Sequence, residues 1–182
     1  VCSSDLLIYI YDELSSMFIY DRVAILEGEI LRLFTSNFVH LSLSHVIYNV
    51  MAFLFLGYIL EKKNRFNFIV LFVLMLLFNG LTLFIFEPNM RYYGGISGIN
   101  YGLIFYLALL LYYQCKIWKR IGQIVLVFIP IKILVELCNC VPFLEYLEKE
   151  TFIVIPLSHL VGVVIASIFY YYKFKKKTII EL

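Results

Sequence analysis

Ser97 stands in the stretch GGISGINYG, residues 94 to 102, with Gly94 and Gly95 before it and Gly98 directly after. A serine hydroxyl becomes an effective nucleophile when a base takes its proton, and imidazole is the usual base near neutral pH. The chain has three histidines, His40, His45 and His159, each within or at the end of an apolar stretch. His159 shares a helical face with Gly162 and Ala166, at spacings of three and four, and Gly98 and Gly102 form a second small-residue face. Two such faces let helix backbones approach closely, and that approach would carry His159 to Ser97. Acyl transfer also needs donors aimed at the developing oxyanion. His45 and Asn49, four apart on one face, are placed to supply them together with the Ser97 amide. His40, five residues before His45, is expected to point elsewhere, nearer the outer boundary. The chemistry these residues fit is attack on a carbonyl by a histidine-activated serine.

The elements that must position them are membrane helices. Hydrophobic residues are 63% of the chain and charged residues 15%, with a mean hydropathy of +0.90; this excludes an ordinary soluble domain. Five stretches are long enough to cross a hydrocarbon core: Phe38 to Leu60, Phe66 to Phe86, Ser97 to Cys115, Ile121 to Val141 and Phe152 to Tyr172. On these bounds His159 lies about seven residues, or about 10 Å, into its span. Residues 1–27 read as an N-terminal segment. Leu6 to Tyr20 is apolar but interrupted by Asp12 and Glu13, and the chain starts at Val1, as expected of a truncated first span.

Charge placement sets an orientation. Lys62, Lys63 and Arg65 fall in one connection, Lys116, Lys119 and Arg120 in another, and Lys173, Lys175, Lys176 and Lys177 follow the last span. The positive-inside tendency puts these in the cytoplasm, with the basic tail at 174–182, and puts the Ser97 and Glu145 loops outside. The net charge of +2 comes from these anchors and gives no reason to expect nucleic acid.

Other chemistries fail on the residues. An H-E-x-x-H string is absent, and Asp5, Asp12 and Asp21, the only aspartates, all precede the first certain span. Zinc and aspartyl proteolysis are thereby excluded, and a haem bundle would leave Ser97 and its glycines without a role. The four cysteines suggest neither a metal site nor an assignable disulfide, and no cofactor is expected. Lys132 and Glu136, four apart within a span, read as an intrahelical ion pair.

The motifs together resemble the rhomboid intramembrane serine proteases, over nearly everything from Gly28 to Tyr172. GEILRLFTSNFVHLSLSHVIYN is similar to that family's arginine-bearing loop leading into its H-x-x-x-x-H-x-x-x-N span. GGISGINY is similar to its G-x-S-G-x-x-Y, and HLVGVVIA to its H-x-x-G-x-x-x-G, with Ala166 in place of the last glycine. The resemblance implies an all-α integral membrane bundle with six helices in its core, five of them clear here, and a catalytic domain over residues 28–173. It implies Ser97 as nucleophile, His159 as general base, His45 and Asn49 as oxyanion donors, Tyr101 stacked on the catalytic histidine and Arg32 as a structural loop residue. The family's tryptophan beside the loop arginine is Leu31 here. Single-span membrane proteins are the implied substrates, in the inner (plasma) membrane, and the sequence assigns no oligomeric state. YDRVAILEGEILRLFTSNFVH is similar to the rhombosortase branch, which adds substrates with Gly-Gly-containing C-terminal sorting tails. The competing reading is a rhomboid-like pseudoprotease that binds and escorts transmembrane helices; such proteins typically lack the serine or the histidine.

Overall fold

The computed structural model describes residues 15–40, 43–139 and 155–180. The expectations for residues 1–14, and for the loop containing Glu145, lie outside the described residues. Among the described residues the regular structure is helical apart from one two-stranded ribbon. In order, it comprises β1 (Tyr20–Asp21), α1 (Arg22–Leu26), α2 (Arg32–Thr35), a 3-10 turn (Ser36–Phe38), α3 (Leu43–Phe86), β2 (Tyr92–Tyr93), α4 (Ser97–Leu111), α5 (Lys116–Asn139) and α6 (Pro156–Ile180).

Three of these helices are long and apolar enough to cross a membrane. The 44-residue α3 is two spans in one, because Asn64 leaves helical geometry at φ −164°, ψ 101°. Its Oδ1 accepts the Asn67 N–H at 2.9 Å, the contact of an N-cap that restarts a helix. The two arms fold back on each other: Phe53 packs on Phe72 at 5.3 Å between ring centroids, and Phe68 lies against Gly57. The turn expected between Leu60 and Phe66 is therefore present, centred on one capping asparagine.

Span boundaries differ from the sequence expectation in three places. The first arm starts at Leu43 rather than Phe38, because residues 36–38 form a 3-10 turn and Val39 is extended at φ −86°, ψ 139°. α5 starts at Lys116, five residues early, so its cationic first turn is helical. α6 opens at Pro156, the residue type that best tolerates the first helical position since it has no N–H to leave unpaired. His159 thus stands in the first turn of α6, not seven residues along a span.

The central element is α4, packed against α3, α5 and α6. Its buried Ile99, Leu103, Tyr106 and Leu107 join Leu56, Leu60, Leu71 and Met75 of α3 with Ala166 and Phe169 of α6. A smaller cluster joins Ile129 and Ile133 of α5 to Val163 of α6. The outward faces of α3 and α5, including Leu54, Phe55, Ile124 and Leu134, are exposed apolar surface suited to lipid.

The approach of α4 to α6 is set by glycine. A Cβ on Gly162 would strike the carbonyl of Gly98 and the amide of Gly102, and one on Gly102 would strike Met75 and the Gly162 carbonyl. Nothing larger than hydrogen fits at these crossings. Ala166, two turns from His159, is fully buried and still narrow enough for the same interface.

Above this bundle, residues 20–38 form a cap. Asp21 caps α1 by accepting the Val23 N–H at 2.9 Å, and β1 pairs antiparallel with β2, Tyr20 opposite Tyr93. Arg22 Nη1 donates to the Phe84 carbonyl at 2.9 Å while its guanidinium lies 4.5 Å from the Phe84 ring centroid, pinning the cap to the end of α3. Arg32 ties the cap to itself, Nη1 donating to the carbonyls of Ser16 and Ile19 and Nε pairing with Glu29. All of these Arg32 contacts stay within the loop and its flanks.

Gly162→Ala is expected to destabilise the protein by about 1–3 kcal/mol through overpacking at a backbone crossing. Gly57→Ala, which meets only the far edge of the Phe68 ring, should be neutral or stabilising by up to about 1 kcal/mol from helix propensity. Thermal unfolding in one detergent, run on both variants, checks the contrast.

Candidate active site

The crossing of α4 and α6 places Ser97, the first residue of α4, beside His159 in the first turn of α6. Ser97 Oγ lies 3.2 Å from His159 Nε2. A Cβ on Gly98 would meet the Ser158 carbonyl at 2.6 Å, so the glycine after the serine is what lets the two helix heads touch. The first backbone bond of α4 runs from the Asn100 N–H to the Ile96 carbonyl. The amides of Ser97, Gly98 and Ile99 therefore stand ahead of the helical ladder, at the positive end of the helix dipole.

His45 and Asn49 come from the first arm of α3. Gly95 adopts φ +133°, a conformation open to glycine, and a Cβ there would lie 2.9 Å from His45 Cε1 and 3.3 Å from Nε2. The His45 imidazole thus rests on the backbone two residues before Ser97. Asn49 is buried beneath it, its Nδ2 donating to the His45 carbonyl at 3.0 Å. Asn100 of α4 donates to both the Asn49 carbonyl at 3.0 Å and Asn49 Oδ1 at 3.1 Å. Asn100 falls at a variable position of the G-x-S-G-x-x-Y pattern, which assigns it no role. Its signal there is a lone amide three residues after Ser97, on the same face of a helix that is otherwise apolar.

His40 departs from its expected direction. Because the chain is extended at Val39 and α3 does not reach back to His40, the helical period does not apply to it, and its ring packs edge-on against His45, with 5.1 Å between centroids. Its Nδ1 lies 3.3 Å from the Phe38 carbonyl.

Tyr101 lies flat on His159, with centroids 4.0 Å apart and planes 24° apart. The other side of His159 meets a residue that no sequence motif connects to it. Its Nδ1 lies 3.0 Å from Glu136 Oε2, while Glu136 Oε1 takes the ammonium of Lys132. The Lys132–Glu136 ion pair read from the sequence is present, but it is not self-contained: the second carboxylate oxygen belongs to the histidine. Helical spacing reveals the pair within α5, and the spacing of 23 residues to His159 gives no local signal.

The strand before Ser97 is held from below. Asn79 Nδ2 donates to Asn37 Oδ1 at 2.7 Å and lies 3.3 Å from the Tyr93 hydroxyl, which donates to the Gly95 carbonyl at 3.1 Å. The Gly95 amide donates to the Ser36 carbonyl at 3.0 Å. A cavity of about 400 Å³ opens beside these groups, between the cap and the first arm of α3, lined by Phe18, Phe38, His40, Val50, Phe53 and Ile96 among others. Among the described residues no cluster of histidine, cysteine and carboxylate side chains is suited to a metal ion.

The fold and this constellation define a multi-pass helical membrane protein with a serine and a histidine paired at the heads of two closely crossing helices. The family model of the Rhomboid domain matches residues 27–176, and the chain belongs to that family. It is 34% identical over 86 residues to Rhomboid protease GlpG of Salmonella newport (strain SL254), and equally so to that of Salmonella typhi. Each match covers 47% of this chain and 30% of the relative.

Gly95→Ala should displace the His45 imidazole; with Ser97 and His45 in the roles the sequence resemblance implies, the reaction of Ser97 with a fluorophosphonate should slow by about 100-fold. Gly28 also has a positive φ, 112°, but open space around it. Gly28→Ala, carrying comparable backbone strain far from the serine, should label at the wild-type rate.

Proposed function

We propose that this protein is an intramembrane serine endopeptidase that cleaves transmembrane-anchored proteins near the outer face of the membrane. The observation that carries the reading is the 3.2 Å contact between Ser97 Oγ and His159 Nε2, at helix heads that only glycine allows to meet. Membership of the rhomboid family, and relatives named as rhomboid proteases, support it.

In this mechanism a substrate segment reaches the serine in extended form, in the cavity beside His40 and Ile96. Ser97 Oγ attacks the scissile carbonyl as its proton passes to His159 Nε2. The oxyanion is held by the Ser97 amide at the head of α4, with His45 and Asn49 as further donors. His159 then protonates the leaving amine, and water hydrolyses the acyl-enzyme. Tyr101 keeps the imidazole plane fixed throughout.

Substrates with small residues near the cut are favoured, because extended backbone must enter a narrow site. By its likeness to the rhombosortase branch in residues 20–40, the preferred class carries a Gly-Gly-containing C-terminal tail with one transmembrane helix and a basic end. Purified wild-type protein is expected to label with a fluorophosphonate and to cut a single-span reporter bearing such a tail, and Ser97→Ala and His159→Ala should do neither. Well-folded wild type that fails to label with several probe classes would instead favour a helix-binding pseudoprotease. Labelling without cleavage would count against the tail alone.

The end of the bundle bearing Lys63, Gln114 and Lys173, which line one cavity, is placed in the cytoplasm by the positive-inside rule, in the plasma (inner) membrane. Ser97 then faces outward. Cys115 is exposed at that end. A membrane-impermeant maleimide should modify Cys115 in inverted vesicles and not in intact spheroplasts, with Cys115→Ser as the control; the reverse pattern would invert the topology.

A further inference from the structure

We infer that Glu136 is a positioning residue for His159, so that the serine and histidine work with a buried carboxylate as a hydrogen-bonded triad. This rests on the proposed protease function.

Four side chains from three helices close into a ring. Glu136 Oε2 meets His159 Nδ1 at 3.0 Å, His159 stacks on Tyr101 at 4.0 Å, the Lys132 ammonium lies 4.6 Å from the Tyr101 ring centroid, and Lys132 pairs with Glu136 Oε1. Glu136 is 2% exposed and His159 5%, so water does not compete for these bonds. The ring also explains why α5, otherwise apolar at this end, carries two ionisable groups at membrane depth. An isolated lysine–glutamate pair would be a cost with no return there.

The direction of each bond follows from donor inventory. An ionised carboxylate only accepts, so with Lys132 donating to Oε1, Oε2 must accept from His159 Nδ1–H. That fixes the tautomer, leaving the Nε2 lone pair facing Ser97 Oγ–H. During attack the Oγ proton moves to Nε2, and the Oγ electron pair forms the new bond to the carbonyl carbon, or to phosphorus of a fluorophosphonate with loss of fluoride. The Nδ1 proton stays on the ring, and Glu136 stabilises the imidazolium without being protonated. Lys132 supplies the counter-charge for Glu136 before and after the transfer. Among the described residues, Tyr101 from α4, Lys132 and Glu136 from α5 and His45 from α3 are the titratable groups around His159.

The test is the rate of fluorophosphonate labelling of the full chain in detergent, separated into probe binding and maximal rate across pH. Glu136→Gln should lower the maximal rate by about 100-fold or more with probe binding unchanged, and should displace the pH profile. Because Glu136→Gln leaves Lys132 uncompensated, the charge-neutral pair Lys132→Met with Glu136→Gln is measured beside it, and should be as slow while unfolding at the wild-type temperature. Either folded variant labelling at the wild-type rate, with the wild-type pH profile, would overturn the inference. A wild-type measurement covers failure to fold: nitrogen NMR of 15N-histidine protein should show His159 with its proton on Nδ1, and the Nε2–H tautomer would overturn it. Ser97→Ala separates the two claims, since loss of labelling there is required by the protease reading whatever Glu136 does.

Discussion

The backbone contact between α4 and α6 is the constraint on which the rest depends. In lipid there is no hydrophobic drive between helices, so close association comes from packing and interhelical hydrogen bonds. Here Gly98, Gly102 and Gly162 bring backbone against backbone at the crossing. The consequence is geometric. A serine at the first position of one helix and a histidine at the fourth position of the other reach each other only when the axes are this close. The same crossing brings Tyr101, one turn beyond Ser97, onto the histidine ring. Fold stability and site geometry are therefore a single property at this interface, and a substitution that opens it loses both.

A second constraint shapes the polar residues. Buried polar side chains at membrane depth need partners, and here several of the partners lie on other elements. Asn37, Asn79 and Tyr93 link the cap, the second arm of α3 and the strand before the serine. Asn49 and Asn100 link the first arm of α3 to α4. Glu136 and His159 link α5 to α6. The first two links converge on residues 93–101, so the hydrogen bonds that make those buried amides tolerable also hold the serine loop, and the third reaches it through His159. The link to α5 stands out because that helix presents most of its surface outward, with Ile124, Val127, Ile131 and Leu134 all exposed. Its seating and the orientation of the histidine are tied through one carboxylate.

Local features are legible in the sequence. Apolar run lengths mark the spans, charge runs mark their common end, and spacings of three and four mark the small-residue faces and the His159 to Gly162 register. Boundaries shift where tertiary structure decides them: α3 starts late because residues 36–40 belong to the cap, and α6 starts at a proline within an apolar stretch. His40 is misdirected by a helical period because α3 does not reach back to it. Glu136 and Asn100 are visible as polar residues in apolar helices, but their partners lie 23 and 51 residues away. No periodicity encodes such distances. The lesson is asymmetrical: an ion pair at helical spacing uses one oxygen of a carboxylate, and at membrane depth the other oxygen also needs a partner.

The length of α4 explains why the serine sits where it does. Its 15 residues span about 22 Å, short of a hydrocarbon core about 30 Å thick. The missing length is made up by residues 92–96, which are not helical. Non-helical backbone at such depth is tolerated only when protein buries it or a water-filled cavity receives it. The first condition is met here. Tyr93 and Ile96 are buried, Gly95 is bonded to Ser36 of the cap, and the cavity lined by His40 and Ile96 opens alongside. A full-length helix would have carried Ser97 toward the membrane surface or enclosed it in a regular ladder. The short one leaves Ser97 at the head of the helix, with the amides of Ser97, Gly98 and Ile99 outside the regular ladder.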